Sequence, residues 1–435
     1  MTVRFRASDV AAATGGRLVG PDVELAGAAF DSRSLRPGEL FVALVADRDG
    51  HDFVDAAVAA GAPAVLVDRP APAPTAIEVP DTGVALLDLA RWARGRLDRA
   101  ARVVGVTGSV GKTSTKDLLV VALGASRRVA ANPASFNNDQ GVPVTILGTD
   151  DGTEVLVVEM GMRGFGEIAR LCEIARPDVG VVTTVGHAHT ERVGGIDGVA
   201  RAKSEIVTSL GLDGVAVLNA DDDRVAAMAT RAPGAVVTYG TSVDAVVRFS
   251  AVELDDLARP RFRVESPWGR FEVALSVSGV HMATNAAAAL AVTGAIGADV
   301  AAAAEALATV EMSAMRMEIR QAPSGAVIVN DAYNANPTSM RAALEAVARM
   351  RADRRIAVLG PMAELDDPDA AHREVAVVAR ELGIEVVALG TAAYGIEPVD
   401  DPIAAIGDLG PGDVVLVKAS RVARLERVAS DLAAR

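Results

Sequence analysis

Short apolar, β-branched runs recur along the chain, and stretches with helical spacing separate them. Between residues 101 and 313 these runs fall at 103–107, 155–159, 179–185 and 215–219. Continuous apolar runs of this kind suit strands buried on both faces, and their alternation with helical patterns predicts βαβ units and a parallel sheet. From residue 314 onward the pattern repeats at 326–330, 355–360, 385–390 and 414–418. Residues 1–100 carry shorter β runs at 40–45, 64–67 and 76–79, with a proline-rich bend at 70–74. Residues 245–277 are more polar and predict an antiparallel annex. The most apolar stretch, 286–304, is interrupted by Thr293, Gly294, Gly297 and Asp299, so it predicts a buried helix pair and not a membrane span. The expected fold class is α/β in three domains, 1–100, 101–313 and 314–435.

Composition narrows the chemistry. The 435 residues are 50% apolar and 23% charged, the balance of a globular chain with sizeable cores. The single cysteine, Cys172, cannot form an intrachain bridge, which fits a reducing cytoplasm. The N-terminal MTVRFRASDV has no apolar stretch of the secretory kind, so a cytoplasmic protein is expected, with no membrane insertion. Net charge is −14 and aromatics are 3%, a poor composition for tracking nucleic acid. An anionic substrate must therefore be held by local donors. Lysine occurs only at 112, 116, 203 and 418, against a total of 43 basic residues. A lysine retained in a chain that defaults to arginine points to a need for a compact charge or a deprotonatable amine.

The sharpest local signal is residues 103–117, VVGVTGSVGKTSTKD. A β run leads into a glycine-rich turn, then Gly111-Lys112-Thr113, then a helical pattern. Backbone N–H groups of such a loop cradle polyphosphate, the lysine faces the β- and γ-phosphates, and the threonine hydroxyl suits Mg²⁺. Val106 stands where the usual pattern has its first glycine, leaving T-G-x-x-G-K-T. No lysine follows an asparagine, so the Asn-Lys-x-Asp guanine reader of GTPases is absent. A kinase, a ligase and a motor ATPase remain open on this loop alone.

Further segments occur in a fixed order: NPASFNNDQGVPVTIL (132–147), VVEMGM (157–162), VGHAHTE (185–191), AKSEI (202–206), GVHMATNAAAAL (279–290), VNDAYNANPTSM (329–340) and LGPMAEL (359–365). DSRSLRPGELFVAL (31–44) and DGHDFV (49–54) precede them. Together with the phosphate loop, this set resembles the Mur ligases of bacterial peptidoglycan synthesis, and covers all three segments. The D-A-Y-N-A-N-P-T-S-M and LGPMAEL runs are similar to the branch that adds D-alanyl-D-alanine to UDP-N-acetylmuramoyl-tripeptide.

The resemblance implies an ADP-forming amide ligase that uses ATP and Mg²⁺, passes through an acyl phosphate and acts as a monomer. It implies an N-terminal α/β domain for the UDP-sugar end, a central P-loop domain and a C-terminal Rossmann-like domain for D-alanyl-D-alanine. Its ATP residues would be Gly108, Ser109, Val110, Gly111, Lys112, Thr113, Ser114, Asn138, Asn285, Arg316 and Asp331. Its catalytic and metal-side residues would be Lys112, Thr113, Glu159, His189 and Lys203, the last carbamylated in many relatives. Substrate contacts would fall to Asp31, Ser32, Arg33, His51, Asn334 and Asn336. Several of these have plainer alternatives: turn chemistry for Asn138 and the 31–33 tripeptide, and helix capping for Asn285 and Asn336. Met282 and Met315 stand where relatives often carry Asn and Gly. Because ATP residues fall in two segments, closure about residues 312–315 is expected. A sister amide ligase and a P-loop switch are the rival functions; the Asp-Asn-Pro-Arg run of the diaminopimelate-adding enzyme is absent.

Overall fold

The computed structural model describes residues 4–97, 101–133, 135–186, 190–363, 365 and 367–435. Three main sheets are built from successive stretches of chain. The first has five strands, in the spatial order Arg17–Val19, Ala76–Glu78, Val65–Val67, Leu40–Val42 and Ala28–Ala29, parallel except for the first pair. The second has nine strands. Val247–Leu254, Ala235–Gly240, Val215–Asn219, Val179–Val182, Arg102–Thr107, Val155–Glu159 and Val129–Ala131 run parallel. Pro260–Ser266 and Gly269–Ala274 extend the sheet antiparallel at one edge. The third sheet orders Glu318–Gln321, Val327–Asn330, Asp413–Lys418, Arg354–Leu359 and Glu385–Ala388, parallel beyond its antiparallel first pair.

The differences from the sequence pattern are local. Val129–Ala131, Ala235–Gly240 and Glu318–Gln321 are strands that no apolar run announced. Val129–Ala131 and Glu318–Gln321 are edge strands, where one side meets solvent and the apolar pattern weakens, whereas Ala235–Gly240 is paired on both sides and only half-buried or exposed over its first four residues. The polar annex is continuous with the central sheet, because Val247–Leu254 pairs in parallel with Ala235–Gly240. The strand expected over 179–185 stops at Val182, and residues 183–186 turn toward the phosphate loop instead.

Two features position the site. Arg102–Thr107 lies between Val155–Glu159 and Val179–Val182, so the chain changes sides of that strand between its two neighbours. In open parallel sheets such a switch leaves a crevice at the carboxyl ends of the strands. The helix Lys112–Gly124 that follows packs on the helix His281–Ala295, whose alanines from Ala286 to Ala289 are fully buried and allow close approach. That helix and Val300–Ala306 are the expected buried pair. Among the described residues no helix is long and apolar enough to cross a membrane.

The stretch joining the second and third sheets is fastened to the phosphate-loop helix. Asp117 accepts the Ser313 N–H at 2.8 Å and its hydroxyl at 3.0 Å, and lies 3.0 Å from the Lys116 ammonium. On the far side, a Cβ on Gly186 would stand 2.9 Å from Thr338 Oγ1 at the start of the helix Pro337–Ala348. The third sheet's elements reach the second sheet's loops elsewhere too, the Arg351 N–H donating to Asp256 O at 2.9 Å.

Candidate active site at the phosphate loop

The loop between Thr107 and Lys112 is seated against residues 183–186. Gly108 has φ +153°, and a Cβ there would lie 1.8 Å from Thr183 Oγ1, so only glycine fits. Thr183 Oγ1 donates to Val110 O at 2.6 Å. Ser109 N–H donates to Thr184 O at 2.9 Å, Val110 N–H to Thr184 Oγ1 at 3.2 Å, and Gly186 N–H to Ser109 Oγ at 2.9 Å. Gly111 (φ +88°) begins the helix, and Asn285 Oδ1 would be 2.9 Å from a Cβ placed on it. Lys112 Nζ donates back to Gly108 O at 2.7 Å. Burial lowers its pKa, the Glu159 carboxylate opposes that shift, and Arg316 reinforces it.

Glu159 ends its strand 1% exposed, facing the loop. Its Oε2 accepts the Thr113 hydroxyl at 2.8 Å and its Oε1 accepts Asn137 Nδ2 at 2.6 Å. Asn132 Oδ1 fixes the Glu159 N–H at 2.8 Å. The asparagine loop therefore divides its work differently from the sequence expectation. Asn138 spends its side-chain oxygen on the N–H groups of Gln140 and Gly141, starting a helix, while Asn137 reaches the carboxylate. The hydroxyl of Thr113 and the carboxylate of Glu159 are oxygen donors of the kind a hard divalent cation takes. Among the described residues no three His, Cys, Asp or Glu side chains gather in a metal-binding group. His189, the expected further ligand, and His187 lie outside the described residues.

Lys203 is 2% exposed and lines the same cavity as Lys112, Thr113 and Glu159. No described residue forms a hydrogen bond or ion pair with its ammonium. Burial pushes its pKa well below the ordinary lysine value, and the charge of Lys112 adds to the shift. An unpaired, buried ammonium is costly, so the side chain is poised to be neutral.

The opposite wall comes from the third sheet. Arg316 Nη2 donates to Thr113 Oγ1 at 3.1 Å, and its guanidinium lies 4.2 Å from the centre of the Tyr333 ring. Its Nε is buried without a partner among the described residues. Asn334, Asn336 and Ser339 complete this wall of a cavity of about 710 Å³. Asn336 also caps the helix Pro337–Ala348, its Oδ1 accepting the Ser339 N–H at 2.9 Å. Asp331 is turned away from the cavity: its carboxylate accepts the Met317 N–H at 3.1 Å and pairs with Lys418 Nζ at 2.5 Å, which also donates to Asn334 O at 2.9 Å. Asn285 sits beside Gly111 but does not line the cavity.

The expected UDP-sugar residues form a separate group. Arg33 folds onto Asp31, with Nη2 to Oδ2 at 2.6 Å, and this hydrogen bond lowers the Asp31 pKa. His51 Nδ1 lies 2.8 Å from Asp49 Oδ1, and its Nε2 accepts the Asp68 N–H at 3.3 Å. The backbone N–H of His51, its ring and Arg69 hold Asp49 well below the usual carboxylate range. The charge of Arg48, on the loop that carries His51, also lowers the Asp31 pKa, less than Arg33 does. Phe30 packs on Phe136 with ring centres 5.9 Å apart, so the 31–33 turn adjoins the loop that carries Asn137. Asp31, Ser32, Arg33 and His51 do not line the main cavity.

Comparison with known proteins agrees with this arrangement. Residues 106–293 match the Mur ligase middle domain, and residues 315–421 match the Mur ligase, glutamate ligase domain. The chain belongs to the Mur ligase family. Within it, the chain is 40% identical to the UDP-N-acetylmuramoyl-tripeptide–D-alanyl-D-alanine ligase of Mycobacterium bovis, over 93% of this chain and 91% of the relative. MurF from Acinetobacter baumannii superposes with a TM-score of 0.88 at 29% identity, covering 99% of each chain. MurF ligase from Thermotoga maritima, solved in complex with ADP, has a TM-score of 0.80 at 32% identity, covering 92% of this chain and 96% of its own.

The loop geometry gives one prediction. Gly108→Ala forces Thr183 away from the loop and should cost about 1–3 kcal/mol, the range for overpacking a tight site. Thermal unfolding measures that loss, and ATP-analogue binding by calorimetry should fall with it. Native stability and affinity in the alanine variant would show that the loop can move off Thr183.

Proposed function

We propose that this chain is an ATP-dependent ligase that joins D-alanyl-D-alanine to UDP-N-acetylmuramoyl-tripeptide in the cytoplasm. The observation that carries the proposal is the cavity itself: one wall is the phosphate loop with Glu159 and Lys203, and the other is the segment from Arg316 to Ser339. A carboxylate is a poor electrophile, so amide formation needs a leaving group. An oxygen of the tripeptide's terminal carboxylate attacks the γ-phosphorus of ATP, the bond to ADP breaks, and an acyl phosphate forms. The dipeptide amine then attacks the carbonyl carbon; the C–O bond to phosphate breaks, and the amine's extra proton is lost. Positioning and charge neutralisation are the protein's tasks.

The assigned roles follow the geometry. The backbone of residues 108–114 and the helix N-terminus cradle the phosphates. Lys112 releases Gly108 O to meet the β- and γ-phosphates. Arg316, with one buried donor unpaired, supplies a guanidinium from the other wall. Thr113 and Glu159 would hold Mg²⁺, which neutralises phosphate charge when bound; a carbamate on Lys203 would place a further anionic group on the same side. A neutral Lys203 amine adds to CO₂ with loss of one proton, and burial favours that neutral form. The Asp31–Arg33 and His51 loops take the UDP-sugar end, and the Asn334–Asn336 wall takes the dipeptide. Residues 1–100, 101–313 and 314–435 are the proposed working domains.

ADP release with UDP-N-acetylmuramoyl-tripeptide should depend on D-alanyl-D-alanine. Release that ignores the dipeptide would favour a nucleotide-hydrolysing switch instead. Lys112→Ala should lower kcat by about 10²-fold or more, the scale for removing one preorganised electrostatic donor, while far-ultraviolet circular dichroism stays native. Near-normal turnover would remove the phosphate-loop lysine from the mechanism.

Lys203→Ala should be nearly inactive and regain part of its rate in millimolar acetate or formate. Lys203→Arg should stay inactive, because a guanidinium keeps the charge but cannot form the carbamate. Steady-state assays of the two variants side by side decide the matter. A functional arginine variant would leave Lys203 as a cation only.

A further inference from the structure

Beyond Lys203 the cavity has a stretch of wall that the scheme above does not use. Arg163, Phe165, Glu167, Arg170 and Arg192 line it. The backbone beneath is firmly held: Glu167 accepts the Arg163 N–H at 2.7 Å, and Glu205 accepts those of Gly166 and Ala169 at 2.8 and 3.1 Å. Phe165 is 50% exposed, and Arg201 lies over its ring at 5.4 Å, so an apolar face stands at the mouth. Among the described residues, the guanidiniums of Arg163, Arg170 and Arg192 have no carboxylate partner. Some exposed arginines elsewhere, such as Arg102, Arg224 and Arg263, lie against a carboxylate and others, such as Arg261 and Arg373, do not among the described residues; what sets Arg163, Arg170 and Arg192 apart is that they line one cavity wall together. Glu167 is the carboxylate on this stretch of wall.

We infer that these guanidiniums read the side chain of the tripeptide's third residue, and select one that ends in a carboxylate, 2,6-diaminopimelate, over one that ends in an ammonium, lysine. The inference rests on the ligase activity proposed for the cavity. The reacting carboxylate belongs to that third residue. Its side chain therefore leaves from beside the reacting carbon, and the wall next to Lys203 is within its reach. The aliphatic part lies on Phe165. A far carboxylate meets planar guanidinium forks, which form strong charge-assisted pairs. The far ammonium of diaminopimelate is left for Glu167. A lysine side chain brings only an ammonium, which can meet Glu167 but forms none of the carboxylate bonds and stands beside three guanidiniums of like charge, so it is disfavoured by the missing contact and by repulsion.

The test is kcat/KM for UDP-N-acetylmuramoyl-tripeptides bearing diaminopimelate or lysine at the third position, with ATP and D-alanyl-D-alanine saturating. It is run on the native enzyme and on Arg163→Ala, Arg170→Ala and Arg192→Ala. The native enzyme should prefer the diaminopimelate tripeptide by about 10²-fold, and the preference should fall about 10-fold in at least two variants, on the scale of a hydrogen bond to a charged group. Equal or faster turnover of the lysine tripeptide would overturn the inference while leaving the ligase activity intact. A preference that no variant changes would also overturn it, because arginines that bind a carboxylate common to both tripeptides slow both alike. No dipeptide-dependent ADP release with either tripeptide would overturn the ligase activity, and the inference with it.

Discussion

The site depends on one close approach, that of Gly108 to Thr183. A methyl group at Gly108 would overlap the threonine hydroxyl, and the hydroxyl is committed to Val110 O. That contact exists because the strand Val179–Val182 ends three residues before its apolar run does. Residues 183–186 are thereby free to bond the loop through Thr184 and Gly186. The phosphate loop is thus shaped by bonds within the protein, and preorganised donors are worth most when the protein need not rearrange at the moment of reaction.

Electrostatics in the cavity follow from that shape. Lys203 is buried and Lys112 half-buried, and the charge of Lys112 disfavours that of Lys203. Glu159 supports the charge of Lys112, while among the described residues no carboxylate does so for Lys203. Two lysines in one cavity are therefore pushed in the same direction to different extents: a carboxylate opposes the shift at Lys112, and at Lys203 burial and a neighbouring cation act together. A chain with a net charge of −14 builds this locally cationic pocket from individually placed groups, as the acidic composition required.

Much of this was legible in the residues, and the exceptions have physical reasons. Central strands at 103–107, 155–159 and 215–219 were visible because burial on both faces leaves continuous apolar runs. The loop was visible because glycine, lysine and threonine there are needed in order. Asp331 was not legible as it stands: a lone acid after a strand gives no sign that Lys418, far along the chain, will fold back to pair with it. Asn137 and Asn138 are neighbours of one type, and only the backbone turn decides which caps a helix and which meets Glu159. The wall of Arg163, Arg170 and Arg192 was invisible because arginine is this chain's default surface cation, and what distinguishes these three is that the fold gathers them on one cavity wall.

The join between the second and third sheets shows where such local order is held against its own cost. Met315 and Met317, on either side of Arg316, have φ +61° and +51°, a region that side chains with a Cβ avoid at roughly 1–2 kcal/mol per residue. Each has a compensating bond: Met315 N–H to Glu318 at 3.2 Å and Met317 N–H to Asp331 at 3.1 Å. Between them Arg316 is aimed at Thr113 and stacked on Tyr333. Asp331 therefore has a structural task that explains its withdrawal from the cavity, since its carboxylate fixes the residue after Arg316 while Lys418 neutralises it. The Asp117–Ser313 bonds hold the same stretch from the phosphate-loop helix. The guanidinium of Arg316 is thus set against the phosphate-loop helix by two strained residues and three carboxylates, Glu318, Asp331 and Asp117.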